Sequence, residues 1–250
     1  MVSEDAIFDR LSLLVGDETM DRIKSRRVIV FGVGGVGSWC AESLIRSGIS
    51  HLTIVDCDRV CVTNVNRQLE ATTRTIGRVK VEVMRERLLE INPLAEIKAM
   101  QEVYSAANAE MFHLEDYDYI IDAIDSLENK MQLIMHATSC HGKLFSSMGA
   151  ALKIDPTQIK VAEFWEVQGC PLARALRKKM NRKGLAPQKK FQCVFSPELL
   201  TNKGMPVVDN QDDNAVEGLS SKAQINGTMA HITAIFGFTI AGLVMKDICG

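Results

Sequence analysis

The sequence predicts an α/β protein built around a mostly parallel sheet. Three features carry that expectation. Short apolar segments alternate with helical patterns through residues 7–150, in the order β-α-β-α-β-β-α-β. Those segments are apolar and short enough to be strands covered on both faces. A glycine-rich turn also joins the first such strand to the helix after it, the junction where open α/β sheets bind ligands.

In chain order, Phe8, Leu11, Leu14 and Val15 recur at near-helical spacing and a second helical turn starts at Asp17, so residues 7–24 read as helix. Arg27–Phe31 is a strand, Val36–Ser47 a helix stopped by Gly48, and residues 51–56 (HLTIVD) a second strand. A helix follows over Val79–Ile91 with Val79, Val83, Leu88 and Ile91 inward, ended by Asn92-Pro93. Residues 97–103 form a weak strand and 117–124 (YDYIIDAI) a stronger one, before a helix at Leu127–Cys140 and a strand at Lys143–Ser147. Beyond residue 150 the pattern changes. Residues 158–167 alternate like a half-exposed strand, Pro171–Met180 is helical, and QCVFSP is a short strand. Residues 201–227 are polar and turn-rich, and an apolar helix over 229–246 closes the chain. With no repeat and no linker visible, residues 1–250 are expected to form a single domain. Its core spans 7–150 and its C-terminal extension 151–250, which holds a basic segment at 174–190.

Composition narrows the function classes. The 250 residues are 46% hydrophobic, enough for a large core without disulfides or structural metal. Lys and Arg total 29 against 31 Asp and Glu, a formal charge of −2, so any nucleic-acid surface must be a local patch. The seven cysteines are odd in number, irregularly spaced and without a C-x-x-C pair. That pattern fits reduced thiols in a cytoplasmic protein and argues against a disulfide framework or a four-cysteine zinc site. Glu4, Asp5 and Asp9 stand where a secretory leader would be apolar, so none is expected. The uncharged stretch Met229–Met245 is at the lower limit of spanning length and holds His231, Thr233 and Thr239. It is expected to be a buried core helix with His231 as a satisfied core histidine, and integral membrane association is not expected.

Gly32, Gly34 and Gly37 form G-x-G-x-x-G between a strand and a helix, with Gly35 as an added glycine. Such a turn lets a phosphate approach backbone N–H groups at a helix N-terminus. Asp56 ends the next strand, where an acid accepts from ribose hydroxyls. The motif alone leaves NAD, FAD and ATP open. Downstream come Asp58, then Asn64, Arg67 and Gln68 in NVNRQ, then Lys80. Two cations beyond the ribose acid suit a triphosphate, whose charge must be neutralised as pyrophosphate departs. Asp122 and Asp125 lie at the carboxyl end of the YDYIID strand. Acids there suit a magnesium ion that keeps most of its waters, although Asp125 could equally cap the helix beginning near Leu127.

Taken together, GxGGxG, D-x-D, N-x-x-R-Q, G-x-x-K and D-x-x-D over residues 8–150 resemble the E1-like family, which includes the ThiF, MoeB and HesA proteins and the ubiquitin-activating enzymes. The resemblance implies a Rossmann-like E1/ThiF-type fold and adenylation of a carboxylate by ATP with Mg2+. By position, Asp56 would hold the ribose, and Asn64, Arg67 and Lys80 the phosphates with Gln68 in support. Asp125 would serve magnesium and the reacting phosphate. Arg10, in FDR, resembles the arginine that enters the neighbouring subunit's ATP site, which implies a homodimer. Two departures sharpen the likeness: the C-x-x-C pairs of the ThiF and MoeB branch are missing, and Ser126 stands where asparagine is common. These, with GGVGSW, DRVCVTNVNRQ, INPLAEI, IDPTQI and CVFSPE, resemble the branch that acts on threonylcarbamoyl-modified adenosine in tRNA. There the threonyl carboxylate is activated by ATP and an internal nitrogen or oxygen closes a ring as AMP leaves. The alternative within the family is activation of the C-terminus of a ubiquitin-like sulfur carrier, and a desulfurase is a further partner the likeness admits.

A separate observation bears on RNA. No acid occurs between Glu166 and Glu198, while Arg174, Arg177, Lys178, Lys179, Arg182, Lys183, Lys189 and Lys190 all lie there. Such a segment can engage tRNA phosphates without reading sequence, or form a solvated basic face, or dock an acidic protein. Phe191 and Trp165 could stack on bases, but core packing is the expectation for each. Cys193, beside the basic segment that could lower its pKa, and Cys140 are candidates to receive an acyl group or sulfur, although buried structural cysteine is the reading expected for each.

Overall fold

A computed structural model describes residues 4–205 and 226–250. Its centre is a seven-stranded sheet in the order β3-β2-β1-β4-β5-β7-β6. The strands are β1 (Arg27–Phe31), β2 (His51–Val55), β3 (Glu96–Met100), β4 (Tyr119–Asp122), β5 (Lys143–Ser147), β6 (Lys160–Glu163) and β7 (Gln192–Phe195). Every neighbouring pair is parallel except β6–β7, so the mostly parallel sheet expected from the sequence is present. Strands from beyond residue 150 complete this same sheet. The chain winds outward from β1 in both directions, so the strand order reverses between β1 and β4. Phe31 is in register with Val55 on one side and Asp122 on the other, which brings the three carboxyl ends level around one crevice.

Helices cover both faces: α1 (Glu4–Val15), α2 (Asp17–Ser25), α3 (Gly37–Arg46), α4 (Lys80–Ile91), α5 (Leu127–Ala137), α6 (Pro171–Lys183) and α7 (Ala230–Cys249). Alternate residues of a strand point to opposite faces. Val28 and Val30 of β1 therefore pack with Leu44, Met84, Phe236 and Ile240 from α3, α4 and α7. Ile29 and Phe31 pack with Met131, Ile134 and Leu176 from α5 and α6. This two-sided burial is why the central strands β1 and β4 are buried along nearly their whole length, while the edge strands β3 and β6 expose polar residues.

The last helix, 20 residues with mean hydropathy 1.7, is long and apolar enough to cross a membrane. Here Ile232, Phe236, Ile240, Val244 and Ile248 form a buried stripe along it. At Gly237 a Cβ would come within 2.5 Å of the Val36 carbonyl oxygen, so α7 and α3 touch backbone to backbone. It is a core helix, as expected.

Other expectations are corrected. The strand over 158–167 stops at Glu163, because Phe164–Glu166 turns as a 3-10 helix. That turn stacks Phe164 on Phe191, 5.0 Å between ring centroids, and leaves Trp165 44% exposed instead of in the core. His231 is exposed on the first turn of α7, where Nε2 meets the Ile154 carbonyl at 2.9 Å. The helix α6 runs on past Met180 to Lys183, where Gly184 (φ 63°) ends it in the left-handed conformation. Most of the polar stretch 201–227 lies outside the described residues.

Candidate active site

The crevice is built first from glycines. Gly32 has φ +84°, and a Cβ there would lie 2.8 Å from the Ala123 carbonyl oxygen. At Gly37 a Cβ would fall 1.7 Å from the Gly32 carbonyl oxygen, so α3 can begin this close to β1 only with glycine. Gly34 and Gly35 form the crest of the turn, with the Gln68 amide over Gly34 and the Arg67 chain over Gly35. Gln68 is buried, and its Oε1 has no hydrogen-bond partner. A buried acceptor left open at the crest of such a turn is suited to a ligand donor.

Asp56 leaves the end of β2 and organises the turn: Oδ2 accepts from Val33 N–H and Oδ1 from Asp58 N–H, each at 2.9 Å. Burial pushes its carboxyl above the ordinary value, against the pull of Lys80 and the two N–H donors. Lys80, 4% exposed at the head of α4, donates to Asp58 Oδ2 at 2.8 Å. Burial disfavours its ammonium, but Asp56 and Asp58 outweigh that and raise its pKa, so the charge is held in place. Burial likewise works against the Asp58 carboxylate, and Lys80 reverses the sign and lowers its pKa.

Arg67 is tied on one side only. Its Nη1 donates to Thr63 O at 2.8 Å and to Asn66 Oδ1 at 2.9 Å, and its carbonyl accepts from Trp39 Nε1 at 3.0 Å. Asn66 in turn donates to Thr228 O at 3.2 Å, joining this loop to the segment before α7. Asn64 is buried, with Oδ1 accepting from Cys61 N–H at 3.0 Å, and so braces the turn that carries Arg67.

The two acids after β4 separate sharply. Asp122 is wholly buried. Its Oδ2 takes an ion pair from Lys130 at 2.8 Å and a hydrogen bond from Ser146 Oγ at 2.7 Å, while Oδ1 accepts from Ile124 N–H at 3.1 Å. It is a support under the loop instead of a nucleotide ligand. Asp125 is exposed above it with no hydrogen-bond or ion-pair partner among the described residues. Ser126 is the N-cap of α5, so Asp125 does not cap and its carboxylate stays open.

Arg10 does not reach this crevice within one chain. Its neighbour Leu11 packs against Gly48, at the end of α3 remote from the glycine turn. The basic segment divides into cations engaged by other groups of the chain and cations on the open surface. Arg177 spends its guanidinium on the carbonyls of Phe164 (2.7 Å) and Val167 (2.8 Å). Lys189 donates to the Cys140 carbonyl. Lys179 and Lys183, the latter at 3.1 Å, converge on Glu128, one turn into α5 from Asp125, and hold the Glu128 acid down at about 2. Arg174, Lys178, Arg182 and Lys190 are exposed, the first three at helical i, i+4 spacing on one edge of α6.

The cysteine candidates fail on environment. Cys193 is wholly buried in β7, and burial drives its thiol far up despite the nearby Lys130. Cys140 is half-buried and also raised by burial. Neither is a thiolate at neutral pH. A cleft of about 580 Å3 lies at the opposite, amino-terminal edge of the sheet, between Arg27, His51, Arg85 and Lys98, and shares none of the crevice residues.

Sequence reasoning missed Lys130, Ser146, Glu70 and Glu128. A signal for Lys130 does exist: it shares a buried stripe with Leu133, Ile134 and Ala137, where a lysine must have an internal partner. The same pattern gives no warning of Glu70, which sits in a turn.

Comparison with known proteins agrees with this geometry. The ThiF family model matches residues 8–250. The tRNA threonylcarbamoyladenosine dehydratase of Bacillus subtilis (strain 168) is 37% identical over 238 residues, covering 95% of this chain and 91% of that protein. The crystal structure of the Escherichia coli tRNA N6-threonylcarbamoyladenosine dehydratase, TcdA, in complex with ATP superposes with a TM-score of 0.84 at 32% identity, covering 99% and 96% of the two chains. The same enzyme in complex with AMP gives 0.83 at 33% identity, with coverage of 99% and 96%. With the glycine turn, Asp56, Arg67, Lys80 and Asp125 gathered at one end of a seven-stranded sheet, and a family match that runs through α7, the chain belongs to the ThiF family.

Proposed function

We propose that this chain is an ATP-dependent, tRNA-modifying dehydratase that cyclises the threonylcarbamoyl group of a modified adenosine. The observation that carries the proposal is the position of α6. Through Lys179 and Lys183 it is clamped on Glu128 to the helix that Asp125 precedes, at the same end of the sheet as the nucleotide crevice. An RNA held along Arg174, Lys178 and Arg182 would present its modified base where the α-phosphate of ATP is held.

In the first step a threonyl carboxylate oxygen attacks the α-phosphorus, and pyrophosphate leaves with the bonding electron pair. Arg67 and Lys80 supply fixed positive charge for that departure, and the buried setting of Lys80 strengthens its effect. Asp56 accepts from the ribose hydroxyls with the oxygen lone pairs its two N–H donors leave over. In the second step an internal nitrogen or oxygen of the same group attacks the acyl carbon, AMP departs, and the nucleophile gives up its proton. Tethering makes this ring closure effectively unimolecular, with effective molarities on the order of 10⁵ M or more in favourable cases. No protein nucleophile is needed, in keeping with the burial of Cys193.

Asp125 fits magnesium, because its carboxylate is exposed and unengaged among the described residues. Asp125 would hold the ion there, and the ion would supply positive charge to offset that of the phosphates. A homodimer completes the site, since Arg10 lies away from its own crevice while Leu13 and Leu14 on the same helix are 81% and 80% exposed. The chain works in the cytoplasm on this account, with its tRNA substrate.

The test is release of pyrophosphate from ATP. It should require threonylcarbamoyl-modified tRNA and should not occur with a small protein ending in Gly-Gly. Release with the Gly-Gly carrier alone would replace this reading by sulfur-carrier activation.

A further inference from the structure

Glu70 lies two residues beyond Gln68, and its side chain turns inward beneath the glycine-rich turn. It is 1% exposed, and neither carboxyl oxygen has a hydrogen-bond partner. The charged groups facing it are Lys80 at the head of α4 and Asp56 after β2, with the Ser38 hydroxyl of α3 as its polar neighbour. Lys80 is already engaged by Asp58. Ser38 Oγ donates its single proton to the Gly34 carbonyl at 2.7 Å and accepts from Leu69 N–H at 3.2 Å. The hydroxyl is thus directed at Gly34 and Leu69, and neither Glu70 oxygen is hydrogen-bonded to it.

This arrangement favours a neutral acid. An ionised carboxylate here would be buried with neither oxygen in a formed hydrogen bond, its own backbone N–H and Ser38 giving only partial support, a disfavoured state. Burial accordingly raises the Glu70 acid to about 8, in spite of its own backbone N–H and the attraction of Lys80. Protonated, Glu70 adds no charge under the turn and leaves Lys80 in its balance with Asp56 and Asp58. Ionised, it would be one more anion competing for Lys80, directly below the crest where phosphates approach.

We propose that Glu70 is a positioning residue of the nucleotide site that must hold its proton for ATP to be bound well. As a neutral acid it leaves Lys80 to the phosphates, and as an anion it draws Lys80 back and repels them. This rests on the crevice being the ATP site, and it is independent of the tRNA chemistry.

The experiment is calorimetric titration of the full chain with ATP and magnesium at several pH values, on wild type and on Glu70→Gln, which has the shape of the neutral acid. Wild type should lose about fivefold or more in affinity between about pH 7.5 and 9.5, and should take up protons on binding near the upper end. Glu70→Gln should change by less than about twofold over that range and take up fewer protons, as a group merely needed for packing would not dictate. Glu70→Leu serves as a second uncharged variant if the glutamine form fails to fold. The same pH dependence in wild type and variant, or a flat wild-type profile, overturns the proposal. Failure of wild type to bind ATP at any pH would instead overturn the nucleotide site itself.

Discussion

Replacing Lys130 by methionine removes the cation from an ion pair in which neither side chain is exposed to solvent. Asp122 would keep the Ser146 hydroxyl at 2.7 Å and the Ile124 N–H at 3.1 Å, but would lose the ammonium at 2.8 Å. Breaking a buried pair by deleting one partner costs about 3–5 kcal/mol, because the remaining charge is stranded. Domains commonly have about 5–15 kcal/mol in all, so this is a large share of the total. Lys130 also donates to the Ile124 carbonyl at 3.0 Å, so the loop from Asp122 to Asp125 loses its tie as well. Urea denaturation at neutral pH should show a lower midpoint with an unchanged slope. The double variant Asp122→Asn, Lys130→Met should recover much of the loss, giving a strong coupling between the two sites. A Lys130→Met protein within about 1 kcal/mol of wild type would refute the assignment of this pair as the support of the loop.

Three further outcomes are expected. Alanine at Arg174, Lys178 and Arg182 should weaken tRNA binding and flatten its salt dependence, by about 0.7–0.9 in slope for each phosphate that is no longer neutralised. Lys179 and Lys183, already engaged by Glu128, should matter less, and equal effects at all five positions would contradict the division drawn along α6. Glu70 also predicts a pH dependence of stability. Its folded pKa of about 8 exceeds the ordinary 4.5, so between those values folding takes up a proton. Stability should then fall as pH rises through that window, by up to about 1.4 kcal/mol per pH unit from this group, and Glu70→Gln should flatten the fall in thermal melts. Parallel melting curves for the two proteins would remove the raised acid. Finally, Arg10→Ala and Asp125→Ala should each abolish ATP-dependent turnover, while mixing and re-equilibrating them should restore part of it. A hybrid dimer contains one site with both residues intact. No recovery in mixtures shown to exchange subunits would place Arg10 outside the partner's site.

Much of the nucleotide crevice was legible in the sequence because its constraints are local. The strand–glycine–helix passage and the acid ending β2 are set by contacts within a few tens of residues, and Gly32 and Gly37 stand where no side chain fits. What could not be read depends on distant partners. D-x-x-D marks two acids but not which is inward; that is decided by the register of β4 with β1 and by Ser146 arriving from β5. The run of cations was plain, yet its division rests on Glu128 and on carbonyls at Phe164, Val167 and Cys140. Cys193 beside a basic segment suggested a thiolate. The β7 strand turns it into the core, where sequence proximity to charge has no effect. Trp165 and His231 erred in the other direction, because a 3-10 turn and the first turn of α7 carry them to the surface.

The most direct measurement is nucleoside mass spectrometry of threonylcarbamoyl-modified tRNA incubated with the protein, ATP and magnesium, digested mildly enough to preserve a labile ring. The account predicts a product lighter by one water, formed only when ATP is present and lost in Asp125→Ala. An unchanged nucleoside mass under conditions where both ATP and the tRNA are shown to bind would contradict it.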